Sequence, residues 1–205
     1  MYTFNGGVTQ KEQVRKLLND SPLVGSGEFS SYGIDTKTLS RMVEDGEVIR
    51  VARGLYASAN YVPGTQHSVI ESSRRVRSGV VCLLSALSFH EIGTQNPSEV
   101  WLAVPRGSRY PRLPDQPIVI SVFSREAYRQ GIEEHSVDGV NIRVYNEAKT
   151  VADCFKYRNK IGLDVSLEAL REVIRDKRAS VDEVMRYARV CRVLNVMRPY
   201  PERLV

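Results

Sequence analysis

Residues 35–57 read DTKTLSRMVEDGEVIRVARGLYA. Leu39, Met42 and Val43 fall at i, i+3 and i+4 and share one helical face. Asp35 suits the N-cap, where its carboxylate can accept the free amide hydrogens of the first turn. Gly46 suits the stop, because it tolerates the left-handed backbone that closes a helix. The opposite face carries Thr36, Lys37, Ser40, Arg41 and Glu44. Glu47–Val51 and Leu55–Ala57 are rich in β-branched and aromatic residues, which suits strands. Between them Ala52-Arg53-Gly54 makes a short turn, with Arg50 and Arg53 on or beside its tip. A short helix with a polar outer face, followed at once by a basic-tipped hairpin, predicts the reading half of a winged helix-turn-helix. Side chains on such a helix reach base edges in the major groove, while a cationic tip holds phosphate and fixes register.

Upstream, Thr9 and Glu12 form a capping-box pattern, and Val14, Leu17 and Leu18 give the helix they open its buried face. Ser21-Pro22 ends that helix. Residues 26–33 leave room for one short helix with Phe29 inward. The order helix, short helix, reading helix, hairpin fits within the first 57 residues.

Downstream of a turn-prone stretch at residues 58–65, centred on Pro63-Gly64, the pattern changes. The expected division is a winged DNA-binding domain over 1–60 and a second domain over 61–205. In the latter, residues 66–77 read as a helix and 80–84 as a short apolar run leading into a small-residue helix. Residues 99–105 and 117–123 read as strands, joined by an exposed loop rich in Pro and Arg. Two alternating runs, 132–137 and 140–145, flank Asp138-Gly139, a strong hairpin signal. Helical spacing returns at 147–157. Ser166 is the expected cap of the next helix. Ser180 with Glu183 caps a last one, which buries Val184, Tyr187, Ala188, Cys191 and Leu194 and carries Arg186, Arg189 and Arg192 outside. The expected class is α+β: a winged helix-turn-helix, then a small mixed sheet with several helices.

The 205 residues carry a net charge of +5. Residues 1–60 hold seven basic and seven acidic side chains, whereas residues 156–205 hold twelve and seven. The positive excess is therefore outside the winged segment, which argues against a strong general grip on DNA by that segment alone. No apolar run approaches 18 residues and the N-terminus lacks the pattern of a secretory signal, so a soluble cytoplasmic protein is expected, with no membrane partner. Cys82, Cys154 and Cys191 are far apart and lie in apolar patterns, which predicts buried free thiols. His67, His90 and His135 lack metal-ligand spacing. Asp138, Glu147 and Lys149 mimic the carboxylate–lysine pattern of Mg²⁺-dependent nucleases, but a tight turn explains the first and a helix start the other two. Neither a cofactor nor a metal is expected.

Several motifs together resemble the AbiEi-type antitoxins of type IV toxin–antitoxin and abortive-infection systems. They are LSRMVEDGEVIRVARGLYA (39–57), SALSFHEIG (85–93), EVWLAVPRG (99–107), YNEAKTVADCFKYR (145–158) and SLEALREVIRDKRASVDEVMRYARVCRVLNVMRPY (166–200). The resemblance implies a non-enzymatic regulator: an N-terminal domain that binds operator DNA in its own promoter, and a C-terminal domain with antitoxin activity against a nucleotidyltransferase-like toxin encoded next door, in a phage-defence setting. It assigns DNA contact to Thr36, Lys37, Ser40 and Arg41, with Arg50 and Arg53 of the wing, and points to Arg186, Arg189 and Arg192 as a partner surface. A monomer or weak dimer is expected. Two rival readings stay open here: a nuclease targeted by the winged module, and a protein-interaction module that binds no DNA.

Overall fold

The structure is a computed structural model that describes residues 8–52, 54–110, 117–138 and 140–200. Arg53 and Gly139, at two expected turn tips, lie outside the described residues. Among the described residues the architecture is α+β, with eleven helices and two sheets. The chain divides into two compact units. One runs through Arg74 and takes in Ser136–Asn141; the other comprises Arg75–His135 and Ile142 onward.

The first unit is a winged helix-turn-helix. It contains α1 (Gln10–Asp20), β1 (Val24–Gly25), α2 (Ser26–Ser31), α3 (Thr36–Glu44), β2 (Val48–Ala52) and β3 (Leu55–Ser58), and α4 (His67–Arg75) begins in it. Local chemistry sets the helix ends. The Thr9 hydroxyl accepts from the Glu12 amide while Glu12 accepts from the Thr9 amide, the full capping box. Asp35 accepts from the Thr38 amide at 2.6 Å and starts α3. Gly46, at φ +73, lets the chain turn out of α3 toward β2. The helices close over one core of Val14, Leu18, Phe29, Ile34, Leu39, Met42, Val48 and Tyr56, with Phe29 packed edge-on against Tyr56. The strands pair antiparallel in the order β1-β3-β2. A bulge at Val51, between the Arg50↔Tyr56 and Ala52↔Leu55 pairs, sharpens the twist toward the wing tip.

The second unit is built on the sheet β6-β5-β4-β8-β7. Its strands are β4 (Val80–Val81), β5 (Val100–Pro105), β6 (Ile118–Phe123), β7 (Ile132–Val137) and β8 (Val140–Tyr145), the hairpin tip of the last two counting with the first unit. The sheet is mixed: β5 runs parallel to β6 and β4 parallel to β8, while β4 and β5 are antiparallel. Its helices are α5 (Leu83–Phe89), α6 (Arg125–Arg129), α7 (Glu147–Lys156), α8 (Arg158–Ile161), α9 (Leu163–Arg175), α10 (Val181–Val190) and α11 (Leu194–Met197). Helix α7 is the centre of this unit, with every residue from Ala148 to Phe155 buried and α5, α9 and α10 packed around it.

Two local expectations are corrected. Ser166 does not cap α9: the helix begins three residues earlier, after Gly162 at φ +99, and the buried Ser166 hydroxyl donates to the Gly162 carbonyl one turn back. The last helix is not continuous either. Arg192 takes φ +60 after Cys191, so Leu194 falls in the separate α11. The three cysteines are free and buried.

Candidate nucleic-acid interface

On α3 the inward stripe of Leu39 and Met42 leaves the other face to solvent. Thr36, Lys37, Ser40 and Arg41 are all exposed, and among the described residues none of their side chains forms a hydrogen bond or ion pair. Arg50, on β2, is likewise exposed and unpaired. Arg53 lies outside the described residues.

The carboxylates of this segment are engaged elsewhere. Glu12, Glu28 and Asp35 accept from backbone amides at helix starts, and Glu28 also pairs with Arg74 at 2.8 Å. Asp45 pairs with Lys11 at 2.7 Å, and Glu47 with Arg15 at 2.7 Å and Lys11 at 3.5 Å. Amide donors at the caps and guanidinium or ammonium partners in the pairs hold Glu12, Asp35 and Glu47 below the ordinary carboxylate range. Five of the seven acids in residues 1–60 are thereby committed, which leaves Asp20 and Glu44. A net charge of zero thus conceals a sorted surface. Among the described residues of this segment the cations without partners are Lys37 and Arg41 on α3, Arg50 on β2 and Lys16 on α1, while the carboxylates without partners are Asp20 and Glu44.

The same pairs hold the reading helix in place. Lys11 and Arg15 of α1 tie down the turn after α3. At its start, the Gln10 carboxamide donates to the Gly33 carbonyl and accepts from the Asp35 amide and the Thr38 hydroxyl. These side chains position α3 from its two ends. Sequence reasoning passed over them, because a Gln or Lys in a first helical turn carries no signal of a tertiary partner.

Residues 12–59 match the family model described as "Transcriptional regulator, AbiEi antitoxin". That match runs from the first turn of α1 through β3 and includes every residue named on α3 and the wing. Among solved structures, the RV2827C protein from Mycobacterium tuberculosis shares the fold, with a TM-score of 0.59 at 10% identity, over 90% of this chain and 75% of that one. No curated protein matches the chain.

Outside the matched residues, Arg186, Arg189 and Arg192 are exposed on and just after α10, and none forms an ion pair among the described residues. The Arg186 guanidinium lies 5.0 Å from the centre of the Tyr187 ring. The nuclease-like set does not assemble. Lys149 is wholly buried and pairs with Asp153 at 2.5 Å, Glu147 pairs with Arg178 at 2.7 Å, and Asp138 sits in the turn of the β7–β8 hairpin at φ +48. A lysine sealed in a core cannot assist an attacking water. No helix of the described residues is long and apolar enough to cross a membrane.

Proposed function

We propose that this chain is a sequence-specific DNA-binding autorepressor and antitoxin. Helix α3 enters the major groove of an operator in its own promoter, with Lys37 and Arg41 at base edges and Thr36 and Ser40 on base or phosphate oxygens. Arg50 and Arg53 of the wing neutralise backbone phosphate. The reading rests above all on one observation: the cations of α3 and β2 are exposed and unpaired while most acids around them are occupied. The match of residues 12–59 to a transcriptional-regulator family supports it. The second unit neutralises a nucleotidyltransferase-like toxin, with Arg186, Arg189 and Arg192 meeting an acidic surface of that partner.

Mobility-shift titrations on the protein's own promoter test the DNA half. Parent protein should shift the operator, and Arg41→Ala and Arg53→Ala should each weaken the shift. Operator binding by both variants at parental strength would remove the assignment. Co-purification with the toxin, without any operator shift, would favour a protein-interaction module instead.

A further inference from the structure

The parallel strands β5 and β6 end side by side, at Pro105 and Phe123, and the Arg106 amide donates to the Phe123 carbonyl at 2.8 Å. A cleft of about 300 Å³ opens there, lined wholly by residues of the second unit. Arg106, Ser108, Arg125 and Arg129 line it, with Pro105 and Tyr128 as an apolar wall. The sequence brings these groups together by simple steps. Arg106 follows β5 directly, and Gly107 at φ +84 turns the chain so that Ser108 faces back. Arg125 and Arg129 stand four residues apart on α6 and share one face.

Two features of this cleft point to an anion. First, the three guanidiniums are exposed, and among the described residues none has an ion pair or hydrogen bond and no carboxylate is part of the lining. Like charges gathered without a counter-ion repel, and the arrangement becomes favourable when an anion enters. Second, the Ser108 hydroxyl is buried and has no hydrogen-bond partner among the described residues. Buried hydroxyls in native proteins are nearly always hydrogen-bonded, so one without a protein partner is open to a water or a ligand oxygen. The Tyr128 hydroxyl, by contrast, is committed to the Ser78 carbonyl at 2.7 Å, which fixes the ring as a wall.

We propose that this cleft binds the phosphoryl group of a small phosphorylated compound. Planar guanidiniums present paired donors that match phosphate oxygens, and Ser108 supplies one more neutral donor. The site lies beyond the carboxyl ends of two adjacent parallel strands, the end at which ligands bind in open parallel sheets. Its size and its Pro105–Tyr128 wall favour a compact organophosphate over the backbone of a duplex.

Calorimetric titration of the full chain, in buffer free of phosphate and sulfate, tests the site with two probes: inorganic pyrophosphate and adenosine 5′-monophosphate. Parent protein should bind at least one saturably. Arg125→Ser/Arg129→Ser should weaken that binding about tenfold or more, since each charge-assisted pair is worth roughly that factor. Arg106→Gln provides an independent check at a position outside α6 and should also weaken it. Unchanged far-UV dichroism and Trp101 emission would show that the variants keep the fold. Tighter binding of the nucleotide than of pyrophosphate would support a role for the apolar wall, and the reverse order would still support a phosphoryl site. Absence of binding by the parent, or equal binding by the variants, would overturn the proposal. So would loss of binding in the variants to random-sequence duplex only, because the cleft would then serve a nucleic-acid backbone.

Discussion

Lys37 and Lys149 are both helical lysines, one on α3 of the first unit and one on α7 of the second. Lys37 stands exposed with no carboxylate partner. Lys149 is 0% exposed, its ammonium bonded to both oxygens of Asp153 at 2.6 and 2.5 Å and placed 4.2 and 4.9 Å from the ring centres of Tyr145 and Phe123. The Cys191 thiol donates to the same carboxylate at 3.1 Å. Burial pushes the Asp153 carboxyl up, and the Lys149 ammonium opposes it. The difference separates two uses of charge. An exposed cation without a partner adds little to stability and remains available to an external anion. A buried pair adds little beyond what a packed apolar pair would give, yet it makes the fold depend on both members being present. Exposed cations without partners are therefore where binding is to be sought, and the charges at the centre of α7 are architecture.

The largest expected effect breaks the α7 pair. Asp153→Ala or Lys149→Met should destabilise the second unit by about 3–5 kcal/mol, because each leaves the other charge buried alone. Urea unfolding followed by Trp101, the sole tryptophan and a core residue of that unit, reads this directly. Lys149→Met/Asp153→Leu should recover most of the loss. A double variant no better than the singles would mean that packing rather than charge sets the cost. The same substitutions should leave operator affinity per folded molecule unchanged.

Next in size, Arg41→Ala should lose about 1–3 kcal/mol of operator binding and much less on a scrambled duplex, with Trp101 unfolding unaffected. Equal losses on both duplexes would turn Arg41 into a phosphate contact. Arg50→Ala should weaken binding on all sequences alike and reduce the slope of log K against log salt by about 1. A sequence-dependent loss at Arg50 would instead bring the wing into base readout.

The smallest effect concerns pH. The side chain of His90 is 8% exposed, its Nε2 donates to the Tyr145 carbonyl at 2.7 Å, and Glu147 lies 3.9 Å from its Nδ1, with His135 and Glu133 near by. Burial is the main cause that lowers its pKa below the ordinary 6.5. The unfolded chain then takes up this proton more readily than the folded one. The contribution of neutral His90 is complete above pH 6.5 and declines as the pH falls from there to the lowered folded value. His90→Gln should flatten that part of the Trp101 stability profile. A steeper profile in the variant would contradict the sign.

What was legible in the sequence was local. The Thr9–Glu12 and Ser180–Glu183 capping boxes, the Asp35 cap and the Gly46 stop are each complete within a few residues, so α1, α3 and the start of α10 follow from spacing. The exposed set on α3 follows from the same periodicity. Non-local pairing was not legible. Two residues, Val24 and Gly25, suffice to extend the wing sheet through β3, and no pattern in so short a segment declares a strand. The parallel pairing of β5 with β6 joins strands that could equally have formed a hairpin. The α9 start was misplaced because Gly162 at φ +99 sets the boundary, while Ser166 turns its hydroxyl back along the helix. The burial of Lys149 was invisible for a different reason. Its partner Asp153 sits at i+4, a spacing that on most helices marks a solvated pair, and only the enclosure of α7 by α5, α9 and α10 makes it a core pair.

Amide chemical-shift mapping of the full chain, with a duplex from its own promoter added, tests the central claim most directly. The account predicts perturbation centred on Thr36, Lys37, Ser40 and Arg41, extending to Arg50 and the wing, with α7 unmoved. Shifts confined to the second unit, with α3 silent at saturating operator, would contradict it.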